Sequence, residues 1–268
     1  MKLRSRILYF TFTIFSFCAT LHASKLVTDT NDMAHALNYV AEGTLFVFDL
    51  DNTLIETSQH LGSDQWFTHR VQHFVDKGHS IDEALKLVVP NWLAIQSKTH
   101  MRTVDPSIPE LLKKMHQSHV SMVALTKRPP VLAPRTLEQL APLQIDFSKT
   151  SEIAGPIVFP ELKDSLYRDG IIFVAPELEK GPVLSAFIKK MKTPPKKIVL
   201  IDDKMSHIQN VALAIESFHI PFVGIRYGGA DEKVKSFDPK IADMQWEYFE
   251  KILTDEQAQQ LLQLRKES

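Results

Sequence analysis

The fold is decided by the stretch Phe46-Val47-Phe48-Asp49-Leu50-Asp51-Asn52-Thr53-Leu54. Its apolar first residues, together with Leu45, predict a buried β-strand that ends at Phe48. Two carboxylates follow at positions i and i+2. Because alternate residues of an extended chain point to the same side, the side chains of Asp49 and Asp51 should both extend from the same side of the strand end. Like charges this close repel unless a cation or a shared proton compensates them. The pair therefore predicts metal binding, acid–base work or nucleophilic attack, and its structural alternative is a pair of turn aspartates.

Two further apolar runs also end in polar side chains. Residues 120–125 stop at Thr126, and residues 198–201 stop at Asp202 and Asp203. Helical patterns separate these runs, which predicts an α/β fold with a parallel sheet and helices on both faces. In such sheets the ligand site lies beyond the carboxyl ends of the strands, so these polar residues should meet the first aspartate pair there.

Four carboxylates at one edge of a sheet require a compensating cation. Mg²⁺ binds a few carboxylates together with the oxygens of a phosphorylated substrate. Such a site suits phosphoryl transfer, which depends on positioning, charge neutralisation and an in-line nucleophile. Lys180, just before a Gly-Pro helix start, could supply a fixed positive charge, and Thr126 could donate a hydrogen bond to a phosphoryl oxygen.

In this order, these residues resemble the four motifs of the haloacid dehalogenase (HAD) superfamily, over residues 45–203. The matching residues are Asp49-Leu50-Asp51-Asn52-Thr53, Thr126, Lys180 and Asp202-Asp203. The segment Leu61-Gly62-Ser63-Asp64-Gln65-Trp66-Phe67 is similar to a secreted bacterial branch of the superfamily that is classed as a domain of unknown function. The resemblance implies a three-layer, Rossmann-like parallel sheet and, with an aspartate at position 51, a phosphatase instead of a dehalogenase.

The resemblance also implies a role for each motif residue. Asp49 would be the nucleophile that forms an aspartyl-phosphate. Asp51 would protonate the leaving group and then activate water. Thr126 and Lys180 would hold the phosphoryl group and stabilise its developing charge.

A magnesium site follows from the same resemblance. Mg²⁺ would bind Asp49, the backbone carbonyl of Asp51, and Asp203 with help from Asp202. The sequence leaves open which of Asp202 and Asp203 is the direct ligand.

The spacing of the first two motifs predicts an insertion. Asp49 and Thr126 are 77 residues apart, far more than neighbouring strands need. We expect a small, mainly helical cap at about residues 57–104, inserted into a HAD-like hydrolase domain that spans residues 24–268. A cap at this place covers the site, excludes water and restricts substrates to smaller ones.

Two other residues are candidates for substrate binding. Arg128 could bind the substrate's phosphate or a second anionic group, and a solvated loop arginine is the alternative. His207 lies close to Asp203 in sequence and could line the site.

The N-terminus has the pattern of a secretory signal peptide. Three positive charges within the first six residues precede an apolar run at residues 7–19, and Leu21-His22-Ala23 follows. Cleavage is expected after Ala23, and the apolar run is shorter than the ~20 residues that a spanning helix needs. A buried first helix is the alternative, and Cys18 leaves lipidation open.

The composition excludes several classes of partner. The chain has 268 residues, of which 44% are apolar, enough for one sizeable core. Removing residues 1–23 lowers the formal net charge from −1 to −4, so no broad attraction to nucleic acid or anionic membranes is expected.

Cys18 is the only cysteine, which excludes a disulfide framework and a thiolate metal site in the mature chain. The expected partner is a small phosphorylated substrate, in the periplasm or outside the cell.

Two functions of different classes fit these patterns. The first is a Mg²⁺-dependent phosphomonoester hydrolase, of which a phosphotransferase that passes the phosphoryl group to an alcohol is a variant. The second is a secreted interaction or effector protein on a HAD scaffold with reduced catalysis. The complete motif set favours the enzyme, since a drifting scaffold would be expected to lose charged residues that repel one another.

Overall fold

The computed structural model describes residues 25–267, and the expected signal peptide lies outside this range. These residues form one large sheet, one small sheet and nine α-helices. The strands, in chain order, are β1 Lys25–Thr30, β2 Thr44–Phe48, β3 Ile55–Thr57, β4 Met101–Thr103, β5 Ser121–Thr126, β6 Ile157–Phe159, β7 Ser165–Arg168, β8 Ile171–Phe173, β9 Lys197–Asp202 and β10 Phe222–Tyr227. The helices are α1 Asp64–Asp76, α2 Ile81–Lys98, α3 Ile108–Gln117, α4 Ala133–Leu140, α5 Lys180–Ile188, α6 Met205–Ala214, α7 Asp231–Lys235, α8 Pro239–Glu247 and α9 Asp255–Glu267.

The large sheet has eight strands in the order β1-β10-β9-β2-β5-β8-β7-β6. The first six are parallel, and β7 and β6 extend one edge as antiparallel strands. From β2 the chain proceeds through β5 to β8 on one side, and then crosses to β9 and β10 on the other. The direction of winding reverses at β2, and ligands of α/β sheets bind at such a switch point.

Both faces of β2 are buried, and its alternate residues belong to two different hydrophobic cores. Phe46 and Phe48 pack with a 3-10 helix at Met33–Tyr39 and with α3 and α4. Leu45 and Val47 face the opposite side, where α5 and α6 supply the core residues. The chain therefore forms three layers, which confirms the α/β, Rossmann-like fold that the alternation of strands and helices predicts.

A separate structural unit, which we call the insertion, lies between β2 and β5 and comprises residues 55–103. It contains the antiparallel pair β3 and β4 and the helices α1 and α2. Each helix has a side-chain cap at its start: the Ser63 hydroxyl accepts the Trp66 N–H, and Ser80 forms a capping box with Glu83. The insertion has its own hydrophobic cluster, which extends to Trp246 of α8.

Two strands of the large sheet lack a sequence pattern that predicts them. β1 pairs with β10 at one edge, and much of it is exposed. β7 pairs with β8 through a tight turn at Asp169 and Gly170, whose φ angles are +49° and +80°. Both strands are short or mostly exposed, so neither shows the apolar runs that mark the central strands. Among residues 25–267, no helix is both long and apolar enough to cross a membrane.

The contact between α5 and α6 depends on a glycine. The Gly181 N–H donates to Asn210 Oδ1 at 2.7 Å, and a Cβ atom at Gly181 would lie 2.6 Å from the Ala214 Cβ and 2.7 Å from the Asn210 carbonyl oxygen. Any larger side chain at this position pushes α5 away from α6. Because α5 begins at Lys180, this contact also fixes the position of that side chain.

We therefore expect Gly181→Ala to lower the free energy of unfolding by about 3 kcal/mol, because the added methyl group overlaps backbone and side-chain atoms of α6. Gly78→Ala is the matched control: its Cβ would meet nothing within 4 Å, so it should cost only the positive φ of that position, about 1 kcal/mol. Urea denaturation measures both values, and equal losses would contradict the close contact.

Candidate functional site

The sheet brings the sequence-predicted residues to one place. β2 lies between β9 and β5 and is parallel to both, so the carboxyl ends of the three strands are neighbours. Asp49 follows β2 directly, Thr126 ends β5 and Asp202 ends β9. A cavity of about 170 Å³ lies here, and Asp49, Thr126, Lys180, Arg128 and His207 are among the residues that line it.

Lys180 is the centre of the charged cluster. Its side chain is 0% exposed, and its Nζ lies 2.7 Å from Asp49 Oδ1 and 2.6 Å from Asp202 Oδ2. Burial alone would favour the neutral amine, but the carboxylates of Asp202 and Asp49 outweigh it and raise the pKa of Lys180. The cation therefore holds two strand ends together and keeps its charge inside the protein.

The Asp49 carboxylate is only partly compensated by this lysine. Burial and the nearby charge of Asp202 raise its pKa to about 6, against the opposing influence of Lys180 and His207. Its Oδ1 atom accepts hydrogen bonds from Lys180 and, at 2.7 Å, from the Leu50 N–H. The second oxygen, Oδ2, is then the one left for a reacting atom.

Asp51 is held by Arg128. The two oxygens of the carboxylate accept from the guanidinium Nε and Nη2 at 2.7 and 2.8 Å, a bidentate pair. Arg128 is 1% exposed, and its Nη1 donates to Gln139 at 2.6 Å and to Thr136 at 3.3 Å. The guanidinium of Arg128, a candidate for substrate binding, thus directs its hydrogen bonds to Asp51 and to α4.

Thr126 begins a tight turn at the cavity wall. Its hydroxyl oxygen accepts the Arg128 N–H at 3.1 Å, and the residue is almost completely buried. Because this oxygen already has a donor, the hydroxyl proton remains available for an acceptor in the cavity.

Asp203 has an unmatched oxygen. Within the described part of the chain, only its Oδ1 and the Thr28 hydroxyl are buried side-chain atoms without a hydrogen-bond partner. Burial and the charges of Asp49 and Asp202 raise its pKa to about 9. Thr53 fixes the backbone here, since its hydroxyl accepts the Asp203 N–H at 3.1 Å. Thr53 belongs to the first motif, but the sequence did not predict its contact with Asp203.

Asp202 differs from Asp203 in its partners. Lys180 and the His207 Nδ1, at 3.0 Å, both contact its carboxylate, and the Lys204 N–H donates to Oδ1 at 2.9 Å. Although burial opposes it, these partners hold the pKa of Asp202 below its usual range. His207 lines the cavity, and in the structure it orients Asp202.

The donor set fits a hard divalent cation. Carboxylate oxygens are the ligands that Mg²⁺ prefers, and one oxygen of Asp203 is buried with no partner. The carboxylates of Asp49 and Asp202 and a ring nitrogen of His207 also lie within 4.8 Å of one another. Since Asp202 already has Lys180 and His207 as partners, Asp203 is the better candidate for the direct ligand.

The insertion supplies the opposite wall of the cavity. Phe67 and Asp64 of α1 and Trp92 of α2 line it together with the acidic cluster. A salt bridge joins the two sides, because Lys204 Nζ donates to Asp64 Oδ2 at 2.7 Å. Asp64 lies in the segment at residues 61–67, which the family resemblance includes. No sequence pattern indicated a role for Lys204, which simply follows Asp203.

These observations define an α/β protein with a lysine-bridged acidic site at the switch point of its sheet. A model of the family described as "Protein of unknown function (DUF2608)" matches residues 27–259, and the chain belongs to this family. No solved structure matches the chain.

Similar proteins are found in Chlamydia pneumoniae, Chlamydia trachomatis and Rickettsia prowazekii. A Chlamydia pneumoniae protein with the name "Putative outer membrane protein" is 29% identical over 258 residues, 95% of this chain and 96% of its own length. A Chlamydia trachomatis protein of the same name is 26% identical and covers 87% of each chain. An uncharacterised protein of Rickettsia prowazekii is 25% identical and covers 82% of each.

The raised pKa of Asp203 predicts a pH dependence of stability. In the unfolded chain this carboxyl loses its proton near its ordinary pKa of 3.8, whereas the folded, metal-free protein keeps the proton up to about pH 9. The stability that this group contributes is therefore complete below about pH 4 and is lost as the pH rises towards 9, by at most about 1.4 kcal/mol per pH unit. Asp203→Asn should flatten this slope in urea denaturation with a chelator present.

Two comparisons make this test specific. Asp243→Asn, at an exposed position of α8, should keep the slope of the wild type. Added Mg²⁺ should stabilise the wild type at neutral pH and have little effect on Asp203→Asn. Identical slopes and identical responses to Mg²⁺ in all three proteins would exclude Asp203 as a ligand.

Proposed function

We propose that this protein is a HAD-type, Mg²⁺-dependent phosphomonoester hydrolase that acts through an aspartyl-phosphate. The observation that carries the proposal is the buried Lys180, which bridges Asp49 and Asp202 beside the unpartnered oxygen of Asp203. Burying charged groups costs folding free energy. This arrangement leaves one carboxylate oxygen, on Asp49, for attack and another, on Asp203, for a cation. Both features suit phosphoryl transfer and have no evident use in a purely structural core.

In the first step, Asp49 Oδ2 forms a bond to the phosphorus atom of the substrate while the bond from phosphorus to the alcohol oxygen breaks. Lys180 and the Thr126 hydroxyl stabilise the charge on the phosphoryl oxygens. Protonated Asp51 gives its proton to the departing alcohol oxygen. One of its two hydrogen bonds to Arg128 opens for this transfer, and the Asp51 side chain is 21% exposed, so the alcohol oxygen can reach it.

In the second step, Asp51 removes a proton from a water molecule, and the water oxygen attacks the phosphorus atom of the aspartyl-phosphate. The bond between phosphorus and Asp49 Oδ2 breaks, which restores the Asp49 carboxylate and releases inorganic phosphate. Asp49, the Asp51 carbonyl and Asp203, with Asp202 behind it, would hold a Mg²⁺ ion, and the ion would neutralise charge on the phosphoryl group. If an alcohol replaces water in this step, the same residues perform a phosphotransfer.

The proposal predicts Mg²⁺-dependent hydrolysis of a generic aryl phosphate such as p-nitrophenyl phosphate. Asp49→Asn should lower kcat by at least about 10³-fold, because the amide cannot form the covalent intermediate. The measurement is the release of nitrophenol by residues 24–268, with Mg²⁺ and with a chelator.

Asp243→Asn serves as the charge-matched control, since this carboxylate is exposed on α8, and it should keep the activity of the wild type. Hydrolysis that survives in Asp49→Asn would overturn the assignment of the nucleophile. A wild type that hydrolyses no member of a broad panel of phosphate monoesters would overturn the enzyme itself.

One observation favours the second candidate, a secreted interaction or effector protein with reduced catalysis. Both oxygens of Asp51 are bound by an arginine that is itself buried and hydrogen-bonded to α4. If this pair stays closed when substrate is present, the proton transfers of both steps are slow. The aryl phosphate assay separates the two candidates, because reduced catalysis predicts a wild type no faster than Asp51→Asn.

We also propose that the protein is exported, to the periplasm or beyond. The signal-peptide pattern at residues 1–23 motivates this, and the names of the chlamydial relatives place those proteins at the outer membrane. Cleavage after Ala23 would leave β1, which begins at Lys25, intact for its pairing with β10.

Export predicts a mature protein that begins at or near Ser24. N-terminal sequencing or mass spectrometry of protein from the envelope or the medium checks this. An intact Met1 on the exported protein would contradict cleavage. A lipid-modified Cys18 as the first residue would show that the protein is processed as a lipoprotein instead of being cleaved after Ala23.

A further inference from the structure

The cavity has two chemically different halves. Its floor is the charged cluster at the strand ends. Its wall is apolar and comes from the insertion and from two loops of the sheet. The apolar lining residues are Phe67, Leu85, Val89, Trp92, Pro129 and Pro176.

Trp92 presents apolar surface to the cavity because its one polar atom is bound elsewhere. The indole Nε1 donates to the Gly62 carbonyl at 3.1 Å. The ring of Phe67 packs against the Trp92 ring, with centroids 5.2 Å apart. This half of the cavity therefore favours burial of an apolar group and disfavours a polar one, which would lose its water without a partner.

The cationic side chains that line the cavity already have partners among the described residues. Arg128 binds Asp51, and Lys204 binds Asp64. Lys127 donates to the carbonyl oxygens of Pro176 and Leu178, and burial lowers its pKa. Lys180 belongs to the reacting centre. A second anionic group on the substrate would therefore find no available cation at the apolar wall.

The size of the cavity sets a further limit. At about 170 Å³ it is close to the roughly 150 Å³ of an engineered apolar cavity that binds benzene. A group of about one aromatic ring therefore matches the apolar half, whereas a nucleoside would bring polar groups that this half cannot bind.

We propose that the substrate is the phosphate monoester of a small apolar alcohol, with one aromatic ring or a short alkyl chain and no second charged group. This inference rests on the proposed hydrolase function and specifies its substrate class. The leaving alcohol lies against Trp92 and Phe67, and the phosphoryl group lies at Asp49.

The test compares monoesters of alcohols with similar acidity, so that leaving-group chemistry does not decide the result. Benzyl phosphate should have a kcat/KM at least about tenfold above that of methyl phosphate, and each added methylene of an alkyl series should contribute about fourfold. Benzyl phosphate with a para-carboxylate and nucleoside monophosphates should be poor substrates.

Three variants on α2 test the wall directly. Leu85→Ser should reduce the preference for benzyl over methyl phosphate, measured as the ratio of their kcat/KM values, by about tenfold. Val89→Lys places an unpaired cation at the wall, so the para-carboxylated benzyl phosphate should become a better substrate relative to benzyl phosphate itself. Leu87→Ser is the matched control, because Leu87 is exposed on the same helix and does not line the cavity.

Binding of phosphonates separates failure of this inference from failure of the hydrolase. Isothermal titration with Mg²⁺ should show benzylphosphonate binding at least about tenfold more tightly than methylphosphonate. Turnover of both esters with equal kcat/KM would overturn the substrate class and keep the hydrolase. No turnover, with benzylphosphonate still the tighter ligand, would overturn the hydrolase and support the apolar site. No turnover and equal binding would overturn both.

Discussion

The contact on which the rest of the site depends is the pair of ion pairs made by Lys180. Asp49 and Asp202 end neighbouring strands, and without a cation between them their charges would push the strand ends apart. Lys180 supplies that cation from the first turn of α5, and its Nζ lies within 2.7 Å of both carboxylates. The close contact of α5 with α6 at Gly181 keeps the lysine in place. The packing of α5 against α6 on one face of the sheet therefore determines whether the carboxylates at the carboxyl ends of the strands are neutralised.

The compensation by Lys180 is incomplete, and the proposed chemistry depends on the charge that it leaves. One lysine serves two carboxylates, while a third, Asp203, has a buried oxygen without a partner. The raised pKa values of Asp49 and Asp203 have the same cause, namely burial followed by repulsion between neighbouring carboxylates. Under the proposed function, a divalent cation bound at these carboxylates would relieve both, and the local destabilisation that their repulsion causes would be lost on binding.

The sequence predicts the centre of the molecule better than its periphery. Runs such as Phe46-Val47-Phe48 are apolar on both faces, so they identify buried parallel strands, and the rule for strand ends then places Asp49, Thr126 and Asp202 together. β1 and β7 show no such run, since β1 is a mostly exposed edge strand and β7 has only four residues. The pairing of Arg128 with Asp51 depends on the loops that follow β2 and β5, and the cavity wall at Trp92 depends on how the insertion packs; no local pattern encodes either.

The position of the insertion and the state of Asp51 are connected through hydrogen bonds. Gln139 of α4 accepts from Arg128 at 2.6 Å, and its amide nitrogen donates to Gln96 and Thr99 at the end of α2. A continuous chain of polar contacts thus runs from the insertion through α4 to the residue proposed to move protons. Movement of α2 away from α4 would remove partners of Gln139, which in turn orients Arg128. The position of α2 and the hydrogen bonding of Asp51 are therefore coupled through Gln139 and Arg128. Under the proposed function, an alcohol group against the apolar wall would contact the same helix, α2, whose end holds Gln139 in place, whereas inorganic phosphate at the strand ends would not.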